Sequence, residues 1–194
     1  MIEILNNGVD YYQSAGTPDS PGTKLFCLSG DIARPGLYEA GFGITLRDLL
    51  SDAGGVDGDL QAVLLGGAAG CFVGPEELDV PLTFEDTKAN DLTLGSGAVM
   101  VFSTKVNVPD VLGRLAEFFR DESCGQCVPC RIGTVRQHEV LLQIGGGTAN
   151  KDQLSLLHDI DTVMTDASIC GLGQTAASAV RSAITLGLLG ETRS

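Results

Sequence analysis

Three cysteines within seven residues constrain this chain more than any other feature. They stand in the segment Glu122-Ser-Cys124-Gly-Gln-Cys127-Val-Pro-Cys130-Arg131, with two residues between neighbouring cysteines. This spacing lets three thiolates converge on one face of a metal cluster, and it leaves one ligand to come from elsewhere. The segment is therefore expected to fold as a tight loop that turns three side chains toward a common centre.

The fourth ligand has to come from a distant part of the chain. Two predicted helices and a turn fill the gap between Cys130 and Cys170, and such a pair brings Cys170 back beside the first three cysteines. Gly125 permits a tight turn with close backbone approach, and Pro129 stiffens the loop. Free N–H groups at the helix starts would stabilise anionic sulfurs. The spacing therefore predicts a [4Fe–4S] cluster with the ligands Cys124, Cys127, Cys130 and Cys170.

Other interpretations of these residue types stay open. Zinc also takes four cysteines, although its usual pattern is two separated C-x2-C pairs, or cysteine with histidine. Cys27 and Cys71 have no cysteine at ligand spacing, so we expect both to be buried small hydrophobic residues. His138 is expected on a helix face, and neither it nor His158 stands in a ligand motif. Arg131 either supports the cluster with its charge or is an ordinary surface residue.

Hydrolytic and nucleotide-binding chemistry finds no support in the sequence. No G-x-S-x-G motif is present, and no histidine is tied to a plausible nucleophile. The glycine-rich residues 41–46 lack the third glycine of a dinucleotide fingerprint, and residues 66–70 lack the Lys-Ser/Thr pair of a phosphate loop. We expect both stretches to be turns, and the acidic residues 76–79 to be solvated surface.

The charge of the chain narrows its partners and its location. Twelve Lys and Arg residues against 25 Asp and Glu residues give a formal net charge of −13. This argues against nucleic acid or an anionic membrane surface, which both require clustered basic residues. The longest apolar runs are far shorter than the roughly 20 residues of a membrane span, and residues 1–5 do not resemble a signal peptide. With cysteines crowded as metal ligands, we expect a cytoplasmic protein, free or peripheral to a membrane complex.

The sequence pattern changes near Lys105–Asn107, where we place a domain boundary. Before it, an arm (residues 1–23) precedes an α+β domain (residues 24–105). The arm is expected to be a short helix or irregular through Gly16, and then a loop. The predicted strands are Lys24–Ser29, Leu37–Ala40, Ala62–Leu65 and Ala98–Ser103. The predicted helix is capped by Thr45, ends at Ala53 and carries Leu46, Leu49 and Leu50 on one face.

Residues 106–190 predict a compact bundle of four amphipathic helices. The first is capped by Asn107, has Pro109 in its opening turn and carries the stripe Val108, Leu112, Leu115 and Phe119. The second runs from about Val128 or Arg131 to Ile144 and ends at the glycines 145–147. The third starts near Asp152 with the apolar positions Leu156, Ile160 and Val163. The fourth starts just after Cys170, with Leu172, Ala176, Ala179, Val180 and Ala183 on one side.

These segments resemble a known family. Residues 122–134, E-S-C-G-Q-C-V-P-C-R-I-G-T, with Cys170-Gly-Leu-Gly173 downstream, are similar to the NADH-binding flavoprotein subunit of respiratory complex I. Related subunits occur in NAD-dependent formate dehydrogenases and in NAD-reducing or bifurcating hydrogenases. Residues 20–26, 29–30, 34–36 and 94–97 are similar to the SLBB-type β-grasp domain of that family. The resemblance implies a small β-grasp domain followed by a four-helix bundle that holds a [4Fe–4S] cluster.

One part of the family pattern is missing from this sequence. In the family, a Rossmann-like domain with a glycine-rich G-R-G-G-A-G-F stretch binds FMN and NADH, and this chain contains no such stretch. FMN and NAD(H) are therefore expected only on a partner chain or a missing domain. The implied function is one-electron transfer between that flavin and further iron–sulfur subunits, without oxidation of NADH by this chain alone. The alternative is a scaffold subunit whose cluster is structural and whose β-grasp domain binds a partner or a small ligand.

Overall fold

The computed structural model, which describes residues 2–146 and 150–190, contains one unit built on a sheet and one built of helices. The sheet unit comprises Met1–Gly67 and Val73–Lys105. The helical unit comprises Ala68–Phe72 and Val106–Ser194. The grouping of the short stretch Ala68–Phe72 with the later helices depends on contacts between distant parts of the chain, so local sequence pattern gives no sign of it.

A five-stranded mixed sheet organises the first part of the chain. Its strands are β1 (Thr23–Gly30), β2 (Gly36–Gly41), β3 (Leu60–Leu65), β4 (Cys71–Val73) and β5 (Ala98–Ser103). Their order across the sheet is β2-β1-β5-β3-β4. β1 pairs antiparallel with β2 and parallel with β5, and β3 runs antiparallel to β5. The four predicted strands are confirmed, whereas the three-residue β4 is too short to show a periodic pattern.

The burial of β1 follows the alternation of a strand. Phe26 and Leu28 are buried, while Leu25 and Cys27 are exposed. Because successive side chains point to opposite faces, the burial of Phe26 and Leu28 turns Cys27 to solvent. The expectation of a buried Cys27 is therefore wrong, whereas Cys71 on β4 is buried as expected. The core is completed by other residues, among them Leu46, Leu49, Leu50, Val63, Leu65, Val99 and Val101.

The helices of the sheet unit are short. The arm contains α1 (Ile2–Asn7) and α2 (Val9–Gln13), which are followed by α3 (Leu46–Asp52) and α4 (Phe84–Ala89). Thr45 caps α3 as predicted, because its side chain accepts a hydrogen bond from the backbone N–H of Asp48 at 3.0 Å. The glycine-rich residues 66–70 form bends and turns, and the acidic Glu76 and Glu77 are exposed, as expected.

Five helices form the helical unit in the described residues. They are α5 (Val108–Glu122), α6 (Val128–Gly145), α7 (Lys151–Ala167), α8 (Gly171–Thr175) and α9 (Ser178–Thr185). The first three confirm predicted helices, although Gly147, one of the glycines expected to end α6, lies outside the described residues. The prediction of a single fourth helix is wrong, because a turn at Ala176–Ala177 separates α8 from α9. The side-chain amide of Gln137 donates to the Ala176 carbonyl at 3.0 Å and so satisfies a group at the break.

The inward faces of α5 and α7 differ in part from the prediction. Asn107 precedes α5, but its side chain makes no capping hydrogen bond, and Leu115 is only partly buried while Ala116 is fully buried. On α7, Val163 is 54% exposed. The buried residues of α7 are Leu157, Ile160, Asp161 and Met164. The spacing of the apolar residues in α7 would allow either of two adjacent faces of the helix to be buried. The helices that pack against α7 determine which of the two faces is buried.

The helices show no candidate for a membrane span. Throughout residues 2–146 and 150–190, no helix combines the length and the apolar character that crossing a bilayer requires.

Candidate metal centre

The four predicted ligands lie in, or one turn beyond, two loops that lead into helices. Cys124 stands between α5 and α6, Cys127 immediately precedes α6, and Cys130 lies in its first turn. Cys170 immediately precedes α8. Cys130 is buried and Cys127 is half-buried, whereas Cys124 and Cys170 are exposed. We call residues 122–130 the cysteine loop.

Hydrogen bonds hold the cysteine loop in a tight turn. Gly125 has a φ of +72°, a left-handed conformation that glycine adopts without steric cost. Its N–H donates to Ser123 Oγ at 3.3 Å, and the same hydroxyl lies 3.3 Å from Cys130 Sγ. From α6, the exposed Arg131 donates through Nη1 to the Gly125 carbonyl at 3.0 Å. The Arg131 side chain thus stabilises the cysteine loop by a hydrogen bond to the main chain of the loop.

The segment before α8 lies against the cysteine loop. Hydrogen bonding from the backbone of Ile169, and then from that of Cys130, lowers the pKa of the Cys127 thiol. A Cβ added at Gly173 would lie 2.9 Å from the Cβ of Cys130 and 2.3 Å from Ser168 Oγ. The segment that carries the fourth predicted ligand therefore contacts two of the other three cysteines.

Two glycines of the cysteine-containing segments allow this close packing. A Cβ at Gly133 on α6 would lie 2.5 Å from Cγ and 2.6 Å from Sδ of Met164 on α7. A Cβ at Gly173 would collide with Ser168, whose Cβ would be 2.6 Å away. Real Cβ atoms do not approach other heavy atoms this closely, so a larger residue at Gly133 would require the Met164 side chain to move, and one at Gly173 would displace Ser168 or Cys130. Glycine at these two positions thus leaves room for Met164 beside α6 and for Ser168 and Cys130 beside α8.

Ser168 is a polar residue of this region that the sequence analysis missed. It is 6% exposed, and its hydroxyl forms no hydrogen bond to another group within residues 2–146 and 150–190. Nearly all buried polar atoms in proteins have such a partner. The position of this serine two residues before Cys170 was the only sequence signal that could have singled it out.

The residues around the cysteines fit an anionic iron–sulfur group in their chemistry. Four thiols, backbone N–H donors that lower the pKa of Cys127, and one unpaired buried hydroxyl all suit a cluster that carries negative charge on sulfur. Among residues 2–146 and 150–190, no three Cys, His, Asp or Glu side chains stand close enough together to hold a metal ion. The structure brings the two loops together, and the complete ligand set remains a prediction.

Both histidines lie outside the cysteine loops. His138 lies on α6, as expected, and is buried; its Nδ1 is 2.9 Å from Nη1 of Arg120 on α5. Because arginine only donates, His138 Nδ1 is the acceptor of this bond. His158 lies on α7 and is exposed. A second polar contact joins the buried Asp161 to the exposed Arg181, whose Nη1 lies 2.9 and 3.1 Å from the two carboxylate oxygens.

Two family matches cover most of the chain. Residues 24–101 match the SLBB domain, and residues 110–186 match the iron-sulfur binding region of NADH-ubiquinone oxidoreductase F. The chain therefore carries an SLBB domain followed by an iron–sulfur binding region. The resemblance noted in the sequence, and the order of its two parts, are confirmed.

Named relatives and a solved structure agree with this assignment. The F subunit of the NADH-quinone oxidoreductase of Mycobacterium tuberculosis (strain ATCC 25618 / H37Rv) is 39% identical over 183 residues, covering 93% of this chain and 41% of the relative. The NADP-reducing hydrogenase subunit HndC of Solidesulfovibrio fructosivorans is 37% identical over 182 residues, covering 92% and 37%. A crystal structure of an NAD+-reducing [NiFe]-hydrogenase in the H2-reduced state matches with a TM-score of 0.89 and 37% identity, over 98% of this chain and 33% of that chain. The chain thus spans about two fifths of the length of the curated relatives it matches.

Proposed function

We propose that this chain is an electron-transfer module of an NADH-linked oxidoreductase complex. It would hold a [4Fe–4S] cluster through Cys124, Cys127, Cys130 and Cys170. When bound, such a cluster accepts and donates one electron at a time. The observation that carries the proposal is the contact between the cysteine loop and the segment before α8, which brings two thiol-bearing loops to one place. The matched iron–sulfur binding region includes both loops.

The environment of Cys127 supports metal ligation by this loop. The thiolate, and not the thiol, is the ligand, and backbone donors lower the pKa of the Cys127 thiol. Ser123 and Arg131 hold the loop by hydrogen bonds. These contacts therefore favour the thiolate of Cys127 and hold the loop in a defined turn.

The source and the destination of the electron would lie on other chains or domains. NADH gives up two electrons as a hydride, so a flavin has to separate the pair before an iron–sulfur module can accept one. We therefore infer a flavin- and NADH-binding partner chain or further domain, and further iron–sulfur subunits as acceptors. The relatives, named as subunits of NADH-quinone oxidoreductase and of an NADP-reducing hydrogenase, support this inference. We place the complex in the cytoplasm, free or peripheral to a membrane.

Removing the fourth ligand tests the cluster assignment. We expect Cys170→Ala to lose most of its bound iron, because three thiols leave one iron without a protein ligand. The matched control is Cys27→Ala, which removes an exposed thiol on β1 and is expected to keep all its iron. Iron and acid-labile sulfide per chain and visible absorption are measured after anaerobic purification. Unchanged iron in Cys170→Ala would contradict the four-cysteine assignment, and zinc in place of iron would contradict the cluster itself.

A reduction experiment tests the electron-transfer role. The chain is purified anaerobically with the proteins that accompany it, and electron paramagnetic resonance is recorded with and without NADH. We expect NADH to produce the signal of a reduced [4Fe–4S] cluster, and the signal to depend on a bound flavin. A cluster that is present but not reduced under these conditions would contradict the proposal and favour a structural cluster in a scaffold subunit.

A further inference from the structure

The main-chain N–H and carbonyl of Ser168 both form hydrogen bonds, whereas its side-chain hydroxyl forms none within the described residues. Its N–H donates to the Met164 carbonyl at 3.2 Å, and its carbonyl accepts from Gln174 Nε2 at 3.0 Å. Its Oγ is one of two buried side-chain atoms without a hydrogen bond within residues 2–146 and 150–190; the other is Gln137 Oε1. The amide nitrogen of Gln137 is already bonded to Ala176. Of these two side chains, only that of Ser168 therefore has a hydrogen-bond donor that is not used.

The surroundings of this hydroxyl are the cysteines of the candidate site. A Cβ placed at Gly173 would meet both Ser168 Oγ, at 2.3 Å, and the Cβ of Cys130, at 2.9 Å. Although the hydroxyl completes no hydrogen bond to it, it is near enough to the Cys127 thiol to help lower its pKa, after the backbone of Ile169 and Cys130. The unused donor thus lies beside two of the predicted cysteine ligands, Cys130 and Cys127, where Gly173 carries no side chain that would fill the space.

A second serine of the site provides a contrast. Ser123 Oγ is 3.3 Å from Cys130 Sγ and accepts from the N–H of Gly125. Ser123 is therefore already engaged in holding the cysteine loop. Ser168 carries the same hydroxyl group at the same site, but this hydroxyl has no hydrogen-bond partner among the described residues. It is therefore free to donate to a sulfur atom of a bound iron–sulfur cluster.

We propose that the Ser168 hydroxyl donates a hydrogen bond to sulfur in the loaded iron–sulfur site, either to a bridging sulfide or to a cysteine ligand. Ser168 is then a positioning residue that favours the reduced cluster. Reduction adds one negative charge, which is spread over the sulfurs, and a hydrogen-bond donor stabilises that added charge. This inference rests on the proposed function.

The test compares Ser168→Ala with Ser155→Ala, which removes an exposed hydroxyl from α7. Both variants are prepared in the iron-loaded protein with its accompanying chains, and iron per chain is measured first. The reduction potential is then measured by a titration followed by electron paramagnetic resonance. We expect Ser168→Ala to keep its iron and to lose roughly tenfold in the equilibrium constant for reduction, which for one electron is about 59 mV. Ser155→Ala is expected to match the unsubstituted protein.

Each outcome bears on one of the two proposals. Full iron in Ser168→Ala with an unchanged or raised potential overturns the role of Ser168 and leaves the proposed function intact. An unsubstituted protein without an iron–sulfur cluster overturns the proposed function itself. If Ser168→Ala loses its iron, Ser168→Thr decides, since threonine keeps the hydroxyl. Full iron and the original potential in Ser168→Thr support the proposal, and any other result in that variant overturns it.

Discussion

The sheet unit and the helical unit use their buried polar groups differently. In the sheet unit, the buried Ser20, Thr83, Thr87 and Ser103 all form hydrogen bonds through their side chains. In the helical unit, two buried atoms, on Gln137 and Ser168, have no partner within the described residues. The first unit satisfies these four groups internally, while the second leaves the Ser168 hydroxyl without such a bond beside Cys130.

The hydrophobic cores of the two units differ as well. The sheet unit has a large core that includes Phe26, Val63 and Val101, none of them exposed. One core cluster of the helical unit consists of Phe119, Ile160, Met164, Ala176 and Ala177. Alanine buries little apolar area, so such a cluster contributes less to stability for each residue. The helical unit also buries larger residues such as Leu112, Leu141 and Leu157, so a greater dependence of this unit on a bound group is expected from its proposed cysteine ligands and not from a smaller core.

Removal of iron is expected to have the largest effect, and it would affect the two units unequally. Because the binding free energy of a metal site is also folding free energy, loss of iron should destabilise the cysteine loop and the segment before α8. Hydrogen–deuterium exchange is measured with and without iron. We expect much faster exchange in residues 124–130 and 168–175, and unchanged exchange in β3 and β5. An equal increase in both units would contradict the comparison.

The next largest effect is expected from the core of the sheet unit. Phe26→Ala should lower the free energy of unfolding by about 3–5 kcal/mol, because it leaves a cavity at a residue that is 0% exposed. Leu25→Ala is the matched control, since Leu25 precedes it on β1 and is 58% exposed. Urea unfolding gives the free energies. Iron per folded chain should stay unchanged in both variants, and a loss of iron in Phe26→Ala would show that the units are not independent in this respect.

A smaller effect is expected from an ion pair of the helical unit. Arg181→Gln leaves Asp161, whose side chain is 9% exposed, without its charged partner. We expect a loss of about 1.5–3 kcal/mol in unfolding free energy, the range for hydrogen bonds to charged groups. The control is Arg136→Gln, since Arg136 pairs with Glu139 on the exposed side of α6. Such exposed pairs contribute about 1 kcal/mol or less. Equal losses in the two variants would contradict a special role for the buried carboxylate.

The smallest effect is expected from a carboxylate of the sheet unit. Glu85 accepts from Ser20 Oγ and Thr17 Oγ1, each at 2.5 Å. These bonds lower the pKa of Glu85 below its ordinary value of 4.5. A lowered pKa in the folded state stabilises the fold above pH 4.5, and this contribution disappears as the pH falls through the folded pKa.

Glu85→Gln removes this pH-dependent contribution. We expect the variant to be less stable than the unsubstituted chain at pH 7, and the difference to shrink as the pH falls below 4.5. Urea unfolding at several pH values measures it. Glu76→Gln, at an exposed position of the turn Pro75–Glu77, is the control. A difference that grows on acidification would show that the sign of this prediction is wrong.

Local signals predicted the elements of the fold well. The alternation in residues 24–29 predicted β1, and Thr45 with its three leucines predicted α3, because strand period and helix capping act within a few residues. The cysteine spacing likewise predicted the loop before α6. The single fourth helix was predicted wrongly, because the turn at Ala176 that divides it is stabilised by a hydrogen bond from Gln137 on α6. A local pattern gives no sign of this distant contact.

The sequence by itself determined the two-part order of the chain, most of its strands and helices, and the cysteines that are candidates for a cluster. These features depend on periodicity, caps and spacing along the chain. Only the tertiary structure decided that β1 lies parallel to β5, that Cys27 faces solvent, and that the buried Ser168 hydroxyl has no hydrogen-bond partner among the described residues. Each of these depends on which distant segments come into contact, and such contacts leave no periodic signal in the residues that make them.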